Sequence, residues 1–266
     1  MTLFFSRPTR VRTWAACLAA ASICPAFAEP TAFATLEALQ ASAQAAGTLV
    51  YRGDTFAQHT PAGAPLYRYE RRVLTTPDGL RASHITRDPA GRVVIVETAL
   101  VSAQYETLRF EATDRQSGFS GSVQISQGGR HLEYELRDNG QRSTASEDVA
   151  DPVVCGPSLF GFILQHWEPL LAGASLPVRM LVLKDKTTYG FDVKLDKTVH
   201  GQATFSVTPS SLLIRMAIAP LRVVFDARTK NVVRYQGRVP PMENVAGKLK
   251  SLDARVEYTS VAATYR

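Results

Sequence analysis

The chain has 266 residues, 45% of them apolar, with 30 Lys and Arg against 24 Asp and Glu, and three cysteines. That length holds either one large β domain with a sizeable core or two small domains, and no internal repeat or low-complexity linker marks a boundary. Arg7, Arg10 and Arg12 precede the apolar stretch 14–23, and Ala26-Phe27-Ala28 before Glu29 has the small-residue ending of a signal-peptidase site.

Residues 1–28 are therefore read as a secretory signal peptide and residues 29–266 as a single periplasmic domain. The apolar stretch 14–23 is too short to span a bilayer, and no later segment is long and apolar enough to do so, so a soluble mature protein is expected. Cys24 follows Ala21-Ser22-Ile23 rather than a lipid-modification context, which argues against a lipid anchor. Cys17 and Cys24 leave with the signal, so Cys155 is the single mature cysteine and an internal disulfide is excluded. Mature charge falls to 27 basic against 24 acidic residues, which argues against a nucleic-acid partner.

Along the chain, residues 30–46 are rich in Ala, with Phe33, Leu36 and Leu39 spaced by three, and predict a short amphipathic helix closed by Gly47. From Thr48 the pattern changes to strands: 49–52, 66–74, 80–86 and 93–100, separated by Pro61-Ala62-Gly63, Pro77-Asp78-Gly79 and Asp88-Pro89-Ala90-Gly91. Strands 105–113, 119–126 and 130–137 follow. In the last, Leu132, Tyr134 and Leu136 alternate with His131, Glu133, Glu135 and Arg137, as in a sheet with one wet face. Residues 138–151 read as a polar connection to a helix.

That helix, 156–173, is the most apolar element. Leu159, Ile163, Trp167 and Leu170 form a stripe flanked by Phe160, Leu164 and Leu171, wider than a surface helix needs. Pro157 suits its first turn and Gly173 its end. Pro169 would remove the hydrogen bond to the Gln165 carbonyl, so a kink or restart is expected there. Beyond it, 176–184, 188–196, 203–207, 211–225, 232–239 and 254–265 complete the strands, with Pro220 dividing 211–225 into two. The expected fold is mainly β: about a dozen antiparallel strands in one curved sheet, a half-barrel or open barrel, wrapped around one apolar helix, with a short N-terminal helix.

Candidate chemistry is sparse. Cys155 precedes a helix N-terminus, where the dipole favours a thiolate, but no base accompanies it in sequence. Gly156-Pro157-Ser158-Leu159-Phe160-Gly161 is one residue too long for a Gly-x-Ser-x-Gly elbow, and Ser158 suits helix initiation. His59, His84, His131, His166 and His200 are scattered without metal-site spacing, so no metal and no cofactor are expected. Arg68, Arg71 and Arg72, between Tyr67, Tyr69 and Glu70, read as a solvated strand face. The apolar segment 212–225 is the best pocket lining, and with the central helix it nominates Phe160, Ile163, Leu164, Trp167, Leu213, Ile214, Met216 and Phe225 as ligand-binding residues.

The layout of signal peptide, short helix, long meander and apolar helix in its concavity resembles the half-barrel of the periplasmic lipoprotein carriers of the LolA/LolB type. The strand runs together with Phe160-Gly161-Phe162-Ile163-Leu164-Gln165-His166-Trp167-Glu168 also look like a family of secreted proteobacterial proteins. The resemblance implies an architecture and no site residues. Three readings stand at this point. The first is a periplasmic, non-enzymatic protein holding an acyl chain or another apolar ligand, and the second a structural or interaction module of the cell envelope with a filled core. The third is a hydrolase using Cys155 or Ser158. Oligomeric state is left open.

Overall fold

The computed structural model describes residues 35–58 and 63–262. The expected signal peptide, Phe33, His59, the turn residues Pro61 and Ala62, and Tyr265 lie outside the described residues.

Helix α1 (Leu36–Ala46) starts at Thr35, whose hydroxyl accepts the Ala38 N–H at 3.2 Å. Eight strands follow: β1 (Thr48–Ala57), β2 (Tyr67–Thr76), β3 (Gly79–Arg87), β4 (Val93–Val101), β5 (Thr107–Asp114), β6 (Phe119–Ser126), β7 (His131–Asp138) and β8 (Gln141–Asp148). The short β9 (Val153–Val154) leads into helices α2 (Gly156–Gln165) and α3 (Trp167–Leu171). Next come β10 (Ser175–Val182), a 3-10 turn (Leu183–Asp185), β11 (Thr187–Val199) and β12 (Gln202–Pro209). Helix α4 (Leu212–Ala217), β13 (Leu221–Asp226), β14 (Val232–Val245) and β15 (Lys248–Ser260) complete the described chain.

All these strands belong to one open, curved sheet of 15, in the order β8-β7-β6-β5-β4-β3-β2-β1-β15-β14-β13-β12-β11-β10-β9. Pairing is antiparallel throughout except between β9 and β10. Each strand therefore lies beside its sequence neighbour, as short turns dictate, apart from two places. At the centre β1 pairs with β15, Tyr51 opposite Ser260 and Ala57 opposite Ala254. At the edges β8 and β9 are consecutive in sequence but unpaired with each other. The two ends nonetheless touch through side chains: Lys186 Nζ donates to Ser143 Oγ at 2.7 Å, and Leu181 and Leu183 pack into the cluster around Val123, Leu132 and Leu136.

Strands β3 and β4 are largely buried on both faces because both are covered. On one side Ile85, Val93 and Val96 pack against Leu36, Leu39 and Ala43 of α1; on the other lies the start of α2. The largest apolar cluster joins Leu159, Phe160, Phe162, Ile163, Trp167 and Leu170 of α2 and α3 to Val193, Phe205, Val207, Val223 and Phe225 of β11–β13.

Three expectations are corrected. Residues 141–148 form a strand rather than a polar connection: Ser143, Ala145 and Glu147 alternate with exposed neighbours on an edge strand, so hydroxyls and charges take the place of an apolar stripe. Residues 212–217 form a helix rather than a strand, since Leu, Arg, Met and Ala all favour helix and Ser211 precedes them. The central helix breaks at His166, three residues before Pro169. The restart at Trp167 places Pro169 in a new first turn, where its missing N–H costs nothing.

Candidate functional site

Strands β1 to β4 place four side chains directly opposite one another. Tyr51 faces Arg71, Arg71 faces His84, and His84 faces Glu97. All four point to the side covered by α2, because residues in register share a face of the sheet. Arg71 is 1% exposed and His84 5%, so a guanidinium is buried in a mainly apolar sheet and must be satisfied by protein groups.

Arg71 Nη1 lies 2.7 Å from His84 Nε2 and donates to the Pro157 carbonyl oxygen at 2.7 Å. The guanidinium carbon stands 5.8 Å from the centre of the Tyr51 ring. A guanidinium only donates, so His84 accepts at Nε2 and carries its proton on Nδ1. That nitrogen lies 3.9 Å from Glu97 Oε2. Burial, then the charge of Arg71, holds the His84 pKa well below the usual imidazole range. His84 is thus neutral, and its approach to Glu97 is not an ion pair.

Burial, reinforced by Asp114, pushes the Glu97 carboxyl up to about 7. Glu97 lies under the α2 N-terminus: a Cβ added to Gly156 would stand 3.6 Å from Oε2. Around this row Tyr51, Tyr69, Tyr258 and Phe160 form a ring cluster with centroid separations of 5.0 to 6.3 Å, and His84 meets Tyr69 edge-on at 4.7 Å. Burial keeps the Tyr69 and Tyr258 hydroxyls protonated, their pKa values raised well above the ordinary phenol range.

The helix start is fixed from the other side by β5. Thr107 Oγ1 lies 2.8 Å from the Val153 carbonyl oxygen and 3.0 Å from Ser158 Oγ. Ser158 Oγ also accepts the Cys155 N–H at 2.9 Å. Its hydroxyl is therefore engaged in capping the helix it begins. Cys155 is fully buried, and desolvation pushes its thiol up to about 12. The dipole effect expected at this N-terminus is outweighed by burial, so neither residue is poised as a nucleophile. The described residues hold no group of three His, Cys, Asp or Glu side chains arranged for a metal ion.

The nominated ligand-binding residues divide into two sets. Phe160, Ile163, Trp167 and Phe225 come together in the main cluster, with Leu164 partly buried at its edge. Trp167 packs 5.1 Å from Phe205 and 5.6 Å from Phe225, ring centre to ring centre, and Lys230 Nζ caps its outer face at 5.2 Å. The structure does not bring Leu213, Ile214 and Met216 to this cluster. Leu213 and Met216 are each 73% exposed on α4, and Ile214 is half-buried beneath them.

One residue of the polar row differs from expectation: Arg71 is buried rather than on a solvated strand face. His84, considered above only for metal-site spacing, is buried beside it, and Glu97 was not singled out. The signal for Arg71 was present: Tyr67, Tyr69, Arg71 and Val73 alternate on one face of β2, and only Arg68 and its even-numbered neighbours face outward. Glu97 stands alone among Val93, Val94, Ile95, Val96, Ala99, Leu100 and Val101, a lone carboxylate in a strand that reads as buried. Comparison with protein-family models and with curated protein sequences finds no match to this chain.

Proposed function

We propose that this is a non-enzymatic periplasmic protein that holds an acyl chain or another apolar guest between the concave face of the sheet and the α2–α3 plug, in the manner of the lipoprotein carriers its layout resembles. The observation that carries this reading is the division of the plug. Helix α2 is pinned at its start by Arg71 on Pro157 and by Thr107 on Ser158. Among the described residues helix α3 has no buried side-chain hydrogen bond of this kind; it contributes Trp167 and Leu170 to the core and is bridged at the rim by Lys230 to Glu168 at 3.5 Å.

Magnitudes favour movement of α3 alone. Exposing two large apolar side chains costs about 5 kcal/mol, whereas burying an acyl chain of roughly 16 carbons is worth about 12 kcal/mol. Releasing α2 as well would expose Leu159, Phe160, Phe162 and Ile163, roughly a further 8 kcal/mol, and strip the partners from a buried arginine. A guest entering under α3, with the break at His166 as the hinge, is the arrangement these numbers support.

The second reading, a structural or interaction module with a filled core, is favoured by the close packing of Trp167 between Phe205 and Phe225. Native mass spectrometry and organic extraction of protein purified from periplasm separate the two. The carrier reading expects co-purifying lipid, uptake of a fluorescent fatty acid and a change in Trp167 emission on uptake. Ligand-free protein that takes up no fatty acid, with Trp167 emission unchanged, would leave the filled-core module standing.

A further inference from the structure

Helix α4 is the most exposed apolar feature of the described residues. Leu212, Leu213 and Met216 are 72%, 73% and 73% exposed. Their spacing of one and four residues puts them on a single arc of about 100°. The helix is tied to the end of β12 by Arg215 Nε, which donates to the Pro209 carbonyl oxygen at 2.5 Å, and the Arg215 and Ile218 N–H groups bond the carbonyls of Ser211 and Ile214 within it. This six-residue helix presents its apolar arc outward, with Ile214 half-buried on the other side.

Residues 209–222 contain Arg215 and Arg222 and no acidic residue; Arg222 pairs with Asp196 at 3.7 Å, so the arc's own cation is Arg215. The turn joining β14 to β15 repeats the combination: Val245 and Leu249 are 37% and 43% exposed, and residues 244–250 carry Lys248 and Lys250, the latter opposite Glu243 in the ladder. Register places both features at the same end of the sheet. Val207 of β12 faces Leu221 and Arg222 faces Gln236, so the chain leaves β12 for α4 at the end where β14 runs on to its turn.

We propose that this end of the sheet docks on an anionic lipid bilayer, with α4 inserting Leu212, Leu213 and Met216 below the headgroups and the neighbouring Arg and Lys residues meeting lipid phosphates. Exposed apolar side chains with Arg215 beside them and Lys248 and Lys250 at the same end of the sheet match the two attractions of such a surface, burial in the acyl boundary and electrostatic contact with anionic headgroups. The inference does not depend on a guest in the concavity, since none of its residues belongs to the main cluster.

The test is co-sedimentation of the chain lacking residues 1–28 with vesicles of phosphatidylcholine alone or mixed with phosphatidylglycerol. Binding is expected on the mixed vesicles and is weakened by added salt. Leu213→Ser/Met216→Ser lowers it at least about tenfold without changing the melting temperature, and Lys248→Gln/Lys250→Gln lowers it several-fold. Met216→Cys carrying an environment-sensitive dye, with Cys155 buried, reports insertion directly as a blue shift. Absence of binding, binding unaffected by the Leu213/Met216 pair, or a dye that stays in water overturns the proposal. Concentration-dependent dimerisation lost in the same pair, without vesicle binding, overturns it in favour of a second copy of the chain.

Discussion

Replacing Arg71 by Met removes a buried cation that links the sheet to the start of α2. Two acceptors, His84 Nε2 and the Pro157 carbonyl, lose their donor in a buried site. A buried group left unsatisfied costs about 1–3 kcal/mol, so a loss of about 2–5 kcal/mol is expected. A tautomer change in His84 offers no escape, because the proton moved to Nε2 would face a thioether. Met matches the stem of Arg but not its guanidinium, so the void left at this buried position adds to the loss. Arg72→Met is the control: its side chain is 21% exposed, pairs with Glu70 at 3.3 Å and donates to the Gly47 carbonyl oxygen at 3.1 Å, part-exposed contacts worth together about 1–2 kcal/mol. Urea unfolding followed by circular dichroism gives both values, and amide exchange over 156–160 reports whether α2 loosens. A loss below about 1 kcal/mol for Arg71→Met, or one equal to that of Arg72→Met, would refute the role given to this bond.

Other expectations are as direct. Glu97 has its folded pKa raised from 4.5 to about 7, so its contribution is fully present below about pH 4.5 and is lost as pH rises through about 7, up to about 3 kcal/mol. Relative to wild type, Glu97→Gln should therefore gain stability between pH 5 and about 8, and thermal melts across that range check it. His84 acts in the opposite sense: with a depressed folded pKa, its contribution is present above about 6.5 and lost as pH falls further, a trend that His84→Gln should remove from the acid limb of the same melts. Cys155 should resist an aromatic disulfide reagent in the native state and react only at the rate of opening, because its thiol is buried and raised to about 12; rapid native labelling would contradict that. Gly161→Ala places a methyl 2.6 Å from Tyr105 Cδ1. It should destabilise by about 1–3 kcal/mol despite better helix propensity, with most of the loss restored by Tyr105→Ser in a double-mutant cycle.

The fold was legible where a single periodicity governed a segment. The β7 alternation of Leu132, Tyr134 and Leu136 gave an unambiguous strand, and the apolar stripe from Leu159 to Leu170 gave the helix that fills the concavity. Legibility failed where a local preference had to be weighed against distant partners. Residues 212–217 are apolar enough for either state, and no sequence signal says that their side chains stay outside. The polar row is harder still. The alternation around Arg71 and the isolation of Glu97 say only that each faces inward, and His84 is unremarkable in its own strand; only the register of the hairpins brings the three into line under Pro157. An arginine in a strand is usually solvated, and its burial becomes intelligible once a carbonyl from a helix start some 86 residues away supplies an acceptor.

The pairing of β1 with β15 has a kinetic consequence. Tyr51 and Ser260 are roughly 200 residues apart in the chain, so their ladder carries the largest loop-closure penalty in the sheet. Every other antiparallel pair is local and can zip from its own turn, giving two separate arrays, β1 to β8 and β10 to β15. Joining them must wait for the last strand to emerge. Until then the inner faces of both arrays, and the apolar helix between them, lack their final cover. This topology predicts an intermediate of two half-sheets, each with an unpaired edge open to aggregation; a refolding chevron should then show its slow phase in probes placed across β1 and β15, and a single phase common to all probes would refute it.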